Sequence, residues 1–182
     1  MKIFNVKRAA ALATQVGVLL AILLMMCGLA VGQQPTFHDP LLDRFEGSWL
    51  LQGTIAGRET KHDVVAEWVL NHQYLQIHEV SHEKKVSGEP VYEAMVFVGW
   101  DEANSRYVCA WLDVYGGISQ SSLGQAPRSG DEIRFLFNDN DGKPDFHTTF
   151  VYDRKADTWA WRMDNEDKGQ LKPYARVQLT RK

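Results

Sequence analysis

Asp131-Glu132-Ile133-Arg134-Phe135-Leu136-Phe137-Asn138-Asp139-Asn140-Asp141-Gly142-Lys143-Pro144-Asp145-Phe146-His147-Thr148-Thr149-Phe150-Val151-Tyr152-Asp153 holds two apolar runs about a polar centre. Both halves alternate with a period of two. Ile133, Phe135 and Phe137 lie opposite Arg134 and Asn138, while Phe146, Thr148, Phe150 and Tyr152 lie opposite His147 and Thr149. Successive side chains of a strand point to opposite faces, so each half reads as a strand with its apolar set turned inward. Asp139-Asn140-Asp141-Gly142 between them supplies residues that tolerate positive φ or hydrogen-bond their own backbone. So short a link joins antiparallel neighbours, because parallel strands need a long crossover.

The same grammar extends in both directions. Runs rich in Val, Ile, Thr, Tyr, Phe and Trp recur at roughly the 8–12-residue spacing of an all-β sandwich or barrel. They predict strands over 47–56, 62–70, 73–81, 91–99, 106–114, 117–124, 131–138, 146–153, 157–164 and 173–181. Trp159, Trp161 and Met163 oppose Arg162 and Asp164 and are expected to face inward. Strands 91–99 and 106–114 are apolar on both faces or carry Asp113 beside Trp111, and parity alone does not orient them. Turn residues also fill 101–105 and 164–169. No strand alternates with a long helix, which argues against an α/β fold. Consecutive strands that close on themselves leave no exposed edge. The expected fold is therefore all-β: one closed or nearly closed antiparallel up-and-down barrel of about ten strands. Asp39 to Phe45 adds one or two helical turns before it.

The first residues set a compartment. Lys2, Lys7 and Arg8 precede an uncharged apolar run, Val16 to Val31, which ends in Ala30-Val31-Gly32 before Gln33. That is the order of a secretory signal peptide, and the run is shorter than the roughly 20 residues a spanning helix needs. Cleavage is expected at Gly32-Gln33. The organisation is then a signal peptide over 1–32, a lead-in with a short helix over 33–46, and a barrel over 47–182. The expected location is periplasmic or extracellular, without membrane insertion after cleavage. Lipidation of Cys27 is disfavoured by the large Met26 before it. The chain's net charge of −3 becomes still more acidic once the leader's cations are gone. A net-acidic domain without a basic run argues against nucleic acid and anionic membrane surfaces. Cys109 is left alone, a thiol expected inside a strand.

Gly47-Ser48-Trp49 follows the helical turn and opens the first strand, while Arg176 and Arg181 lie on the last. In this the chain resembles the calycin superfamily, where a Gly-x-Trp signature follows a short helix and a late arginine packs across the Trp. The likeness continues through Trp68-Val69-Leu70-Asn71, Tyr74-Leu75, Val98-Gly99-Trp100-Asp101, Tyr107 and Trp111-Leu112-Asp113. That order is similar to a bacterial family of secreted lipocalin-like proteins and covers nearly all of 33–182. The resemblance implies a barrel closed by Arg176 on Trp49, with Arg181 as the next candidate, and it implies no settled activity. Nitrobindin-like haem barrels share the opening but continue with a Gly-rich run ending in Tyr-Pro. Here 50–58 differs, and the last histidine, His147, lies far from the carboxyl end. No haem or other cofactor is expected.

His78-Glu79-Val80-Ser81-His82 matches the zincin pattern literally. That chemistry needs a helix, which stacks positions i and i+4 on one face. On a strand, at roughly 3.3 Å per residue, the histidines stand about 13 Å apart and cannot share an ion. Tyr74, Leu75, Ile77 and Val80 favour a strand, so a zinc-dependent hydrolase remains the alternative and would require a helix across Asp63 to Lys85. Asp139 to Asp145 lacks the ligand spacing of a calcium loop and reads as a turn.

Tryptophans at 68, 100, 111, 159 and 161 leave two readings open. They fill the barrel as core, or they line a cavity whose polar groups, His78, Asp113 and Arg162, orient a ligand. The lining expected on the second reading is Trp68, His78, Trp111, Asp113, Trp159 and Trp161. The expected partner is a small apolar or amphipathic molecule, with neither catalytic nor metal-ligating residues. On the first reading the filled barrel is an interaction module for another envelope protein.

Overall fold

A computed structural model describes residues 36–182; the signal-peptide and cleavage expectations lie outside the described residues. Ten strands form one closed antiparallel barrel in chain order, with the first paired to the last. They are β1 (Gly47–Ile55), β2 (Arg58–Val69), β3 (Tyr74–Ser81), β4 (Glu93–Asp101), β5 (Arg106–Asp113), β6 (Leu123–Pro127), β7 (Glu132–Asn138), β8 (Pro144–Asp153), β9 (Thr158–Asp167) and β10 (Gln170–Arg181). The barrel expected from the alternation is thus observed. One strand is displaced: the run expected over 117–124 begins only at Leu123. Gly116 and Gly117 both take positive φ, and Ser119 caps a 3-10 turn at Gln120–Ser122, so the backbone there follows turn chemistry instead of pairing.

The tight links explain themselves. Between β2 and β3, Leu70, Asn71 and His72 all adopt left-handed φ, and Ala56-Gly57 and Lys168-Gly169 do the same at two other hairpins. Closure between β1 and β10 requires Gly53. A Cβ there would sit 2.3 Å from the Arg176 carbonyl oxygen, and its φ of +145° is one that side chains rarely adopt.

Inward faces follow the expected parity: Ile133, Phe135 and Phe137 on β7, Thr148, Phe150 and Tyr152 on β8, and Trp159, Trp161 and Met163 on β9 are all buried. The structure also orients the strands that parity left ambiguous. Ala94, Val96 and Val98 of β4 and Tyr107 and Cys109 of β5 face inward. Burial raises the affinity of the Cys109 thiol for its proton, which keeps it unreactive.

One end of the barrel is plugged by the lead-in. A 3-10 turn at Leu42–Arg44 carries Leu42 and Phe45 into the core, where Phe45 packs 4.6 Å from Trp159 and 5.4 Å from Phe150. Trp49 Nε1 donates to the Phe45 carbonyl at 2.7 Å. The carboxylate of Asp39, only 2% exposed, holds the segment down. It accepts from the backbone N–H of Leu41 and Leu42, from the Tyr107 hydroxyl at 2.6 Å and from Arg128 at 2.5 Å.

The closing arginine is Arg181, which corrects the expectation for Arg176. Its guanidinium lies 4.0 Å over the Trp49 ring and donates to the carbonyls of Glu46 and Arg44 and to Asp157. Register decides the matter. Trp49 pairs with Arg181, whereas Arg176 pairs with Thr54 on the outward parity and is held by Asp164. The hydrogen bond from Arg181 also holds the Asp157 carboxyl below its ordinary range.

Candidate functional site

The opposite end, where the 56–57, 82–92, 114–122, 139–143 and 168–169 links lie, has no such plug among the described residues. Inward-facing Trp111, Asp113 and Phe146 keep partial exposure there, beside Tyr92 from the β3–β4 link. Trp111 lies 5.7 Å from Trp161 and 6.4 Å from Phe137. Phe146 contacts Phe137 at 6.3 Å and Tyr174 at 6.0 Å, and Tyr92 lies 6.1 Å from Tyr115. Below this rim the barrel is filled. Trp161 is fully buried, stacks obliquely on Phe150 at 4.6 Å and donates from Nε1 to Thr148 Oγ1 at 2.6 Å.

A polar cluster is set into the wall beside these rings. His62 on β2 and Glu79 on β3 both face inward, 4% and 1% exposed, with His62 Nδ1 2.5 Å from Glu79 Oε1. A carboxylate oxygen accepts, so His62 Nδ1 donates to Glu79, while His62 Nε2 lies 2.6 Å from the Thr60 hydroxyl. Glu79 Oε2 is buried with no hydrogen-bond partner. Ionised, that oxygen lacks a donor; protonated, it lacks an acceptor. An unmet buried polar atom costs about 1–3 kcal/mol. The cluster thus carries a polar atom that the fold itself leaves unsatisfied.

Tyr92 connects the cluster to the rings. It stacks on His62 at 5.9 Å and its hydroxyl accepts from Trp111 Nε1 at 3.2 Å. Burial first, and then the negative charge of Glu79, push its phenol above the usual range and keep it neutral.

Of the residues expected from sequence to line a cavity, Trp111, Trp161 and Asp113 share this half of the barrel. Trp159 faces inward but lies under the plug, against Phe45 and Tyr152. Trp68 belongs to the plugged rim, stacked on His72 at 4.1 Å and bonded to Asp43. His78 is outside the barrel, facing away from the interior with Glu93 at 2.7 Å, and so does not line it. Arg162 is also exposed, paired with Glu132. His82 meets Asp63, so the two histidines of the zincin match hold separate carboxylates beside an extended strand, and the zinc-hydrolase geometry is not formed. His62 was missed, although it has the parity of buried Val64 and Ala66. Glu79 likewise has the parity of Leu75 and Ile77. Charged residues in an apolar phase were the available signal.

Two surface depressions on the outer wall, one beside Val151 and Arg154 and one beside Lys61 and His82, include neither Trp111 nor Trp161. These features define a class: a closed ten-stranded up-and-down barrel, compatible with a calycin-like fold, with one plugged end and one aromatic mouth. The chain matches no protein-family model and no curated protein.

Proposed function

We propose that this protein is an exported, lipocalin-like binding protein that holds a small amphipathic molecule at the mouth opposite the plug. The observation that carries this reading is the buried, unpartnered Glu79 oxygen beside a ring of partly exposed inward aromatics. Apolar walls with a few fixed polar groups are what small-molecule sites need. Trp111, Phe137 and Phe146 supply the walls, while Glu79 and Tyr92 supply the polar groups.

The test uses N-phenyl-1-naphthylamine, a neutral fluorophore that brightens in apolar surroundings. Saturable binding is expected, and Trp111→Ala should weaken it by about tenfold, in keeping with loss of a buried aromatic contact. Trp68→Ala, at the plugged rim, should leave it within about twofold, since substitutions remote from a site act independently of it. Absence of binding to the unaltered protein, or equal loss in both variants, would refute the reading. A second reading draws on the β5–β6 link, which exposes Tyr115 and Ile118 at 80% and 83%. Exposed apolar groups of this size suit docking on another protein, and that role predicts no binding of the fluorophore.

A further inference from the structure

The register of β3, β4 and β5 places Glu79, Ala94 and Asp113 side by side on the interior face, Glu79 opposite Ala94 and Ala94 opposite Asp113. Neighbouring strands lie about 4.8 Å apart, so two carboxylates flank one methyl group across roughly 10 Å. Ala94 between them is the smallest side chain of the three and is itself buried. Asp113 uses Oδ1 to accept the Tyr115 backbone N–H at 2.9 Å, which fixes its carboxylate at the rim. Glu79 is fixed by His62 through the other oxygen, so its unpartnered Oε2 is the buried group with spare capacity.

Charge points the same way. Burial holds the Tyr92 phenol in its neutral form, and the nearby Glu79 and Asp113 carboxylates add to that effect. Tyr92 and Trp111, joined by a hydrogen bond at this end of the barrel, are of the ring type whose faces attract cations. An ammonium donates hydrogen bonds and carries positive charge, which meets both the unmet oxygen and the local potential; a neutral donor meets only the first, and an anion meets neither.

Building on the mouth-binding reading, we infer that the ligand is a small organic cation: a protonated amine on an aromatic or apolar body, its nitrogen lodged between Glu79 and Asp113. His62 is then a positioning residue that aims the Glu79 carboxylate.

Isothermal titration at low ionic strength with three probes of one shape tests this: 2-phenylethylamine, 2-phenylethanol and 3-phenylpropanoate. The amine should bind roughly tenfold or more tighter than the alcohol, as expected for a charge-assisted bond, with the carboxylate weakest, and it should displace N-phenyl-1-naphthylamine. Glu79→Gln keeps an acceptor for His62 and removes the charge. It should abolish the preference, bringing the ratio of amine to alcohol affinity to about one, because the charge that separates the two probes is gone. If that variant fails to fold, Asp113→Asn at the rim provides the check and should reduce the preference by about threefold or more, as a less buried charge would. Equal binding of amine and alcohol to the unaltered protein, or a preference that survives substitution of the carboxylate, would overturn the inference while leaving the mouth as a binding site. Failure of all three probes and of the fluorophore would instead remove the mouth-binding reading itself.

Discussion

Trp49→Ala is expected to destabilise the barrel by roughly 3–5 kcal/mol, the range for deleting a large aromatic from a packed core. Trp49 is fully buried at the seam where β1 meets β10, against Phe45 and beneath the Arg181 guanidinium. Its indole also satisfies the Phe45 carbonyl, which the truncation leaves without that donor. Arg181→Ala should cost less. A cation over a ring contributes about 0.5–2 kcal/mol depending on desolvation, and the Arg181 pair with Asp157 is partly exposed and screened. The two residues touch, so the double variant should lose less than the sum of the single losses. Arg176→Ala is the control: an outward residue that should combine additively with Trp49→Ala. Urea melts of these variants measure all the terms. Coupling of Trp49 to Arg176 and not to Arg181 would contradict the register of the last strand.

Asp39→Ala should be the second large loss, at roughly 2–4 kcal/mol. The estimate combines a lost cap to the Leu41 and Leu42 N–H groups with a buried Tyr107 hydroxyl left without its acceptor. Arg128 adds little to that sum, because its side chain is half exposed and keeps its place over Trp100 at 4.6 Å. Freed of this anchor, the lead-in should detach locally before the barrel melts. Hydrogen exchange at Leu41 and Leu42 should therefore rise more than exchange at the Trp161 amide of β9. Uniform acceleration at all three positions would mean that Asp39 stabilises the barrel as a whole and not the plug.

The fold was legible because a one-sided strand writes its burial into every second residue. Ile133-Arg134-Phe135 and Trp159-Ala160-Trp161 could be oriented without a structure. Val96, Val98 and Cys109 could not, since their strands carry apolar residues on both faces and only the register distinguishes them. The displaced β6 has a local cause. Ile118 and Leu123 resemble strand residues, but Gly116, Gly117 and the Ser119 cap fix a turn between the true strands. Arg176 was preferred over Arg181 for want of that same register. The site was legible only in part. Trp111, Asp113 and Trp161 are marked by composition, whereas the pairing of His62 with Glu79 joins residues 17 apart across two strands. Glu79 stands at the centre of a zinc-like motif in the sequence, but its interior position follows from sharing the phase of Ile77.

Binding at the aromatic mouth, and not at the plugged end, is the expected behaviour of this barrel. Indole N–H resonances of the six tryptophans report on both ends at once. In nitrogen–proton correlation spectra of the labelled protein, titration with 2-phenylethylamine should shift Trp111 most, because its Nε1–H meets Tyr92, and Trp161 next. Trp49, Trp68, Trp100 and Trp159 should remain in place. Shifts centred on Trp68 or Trp159, or no movement of Trp111 at saturating probe, would contradict the account.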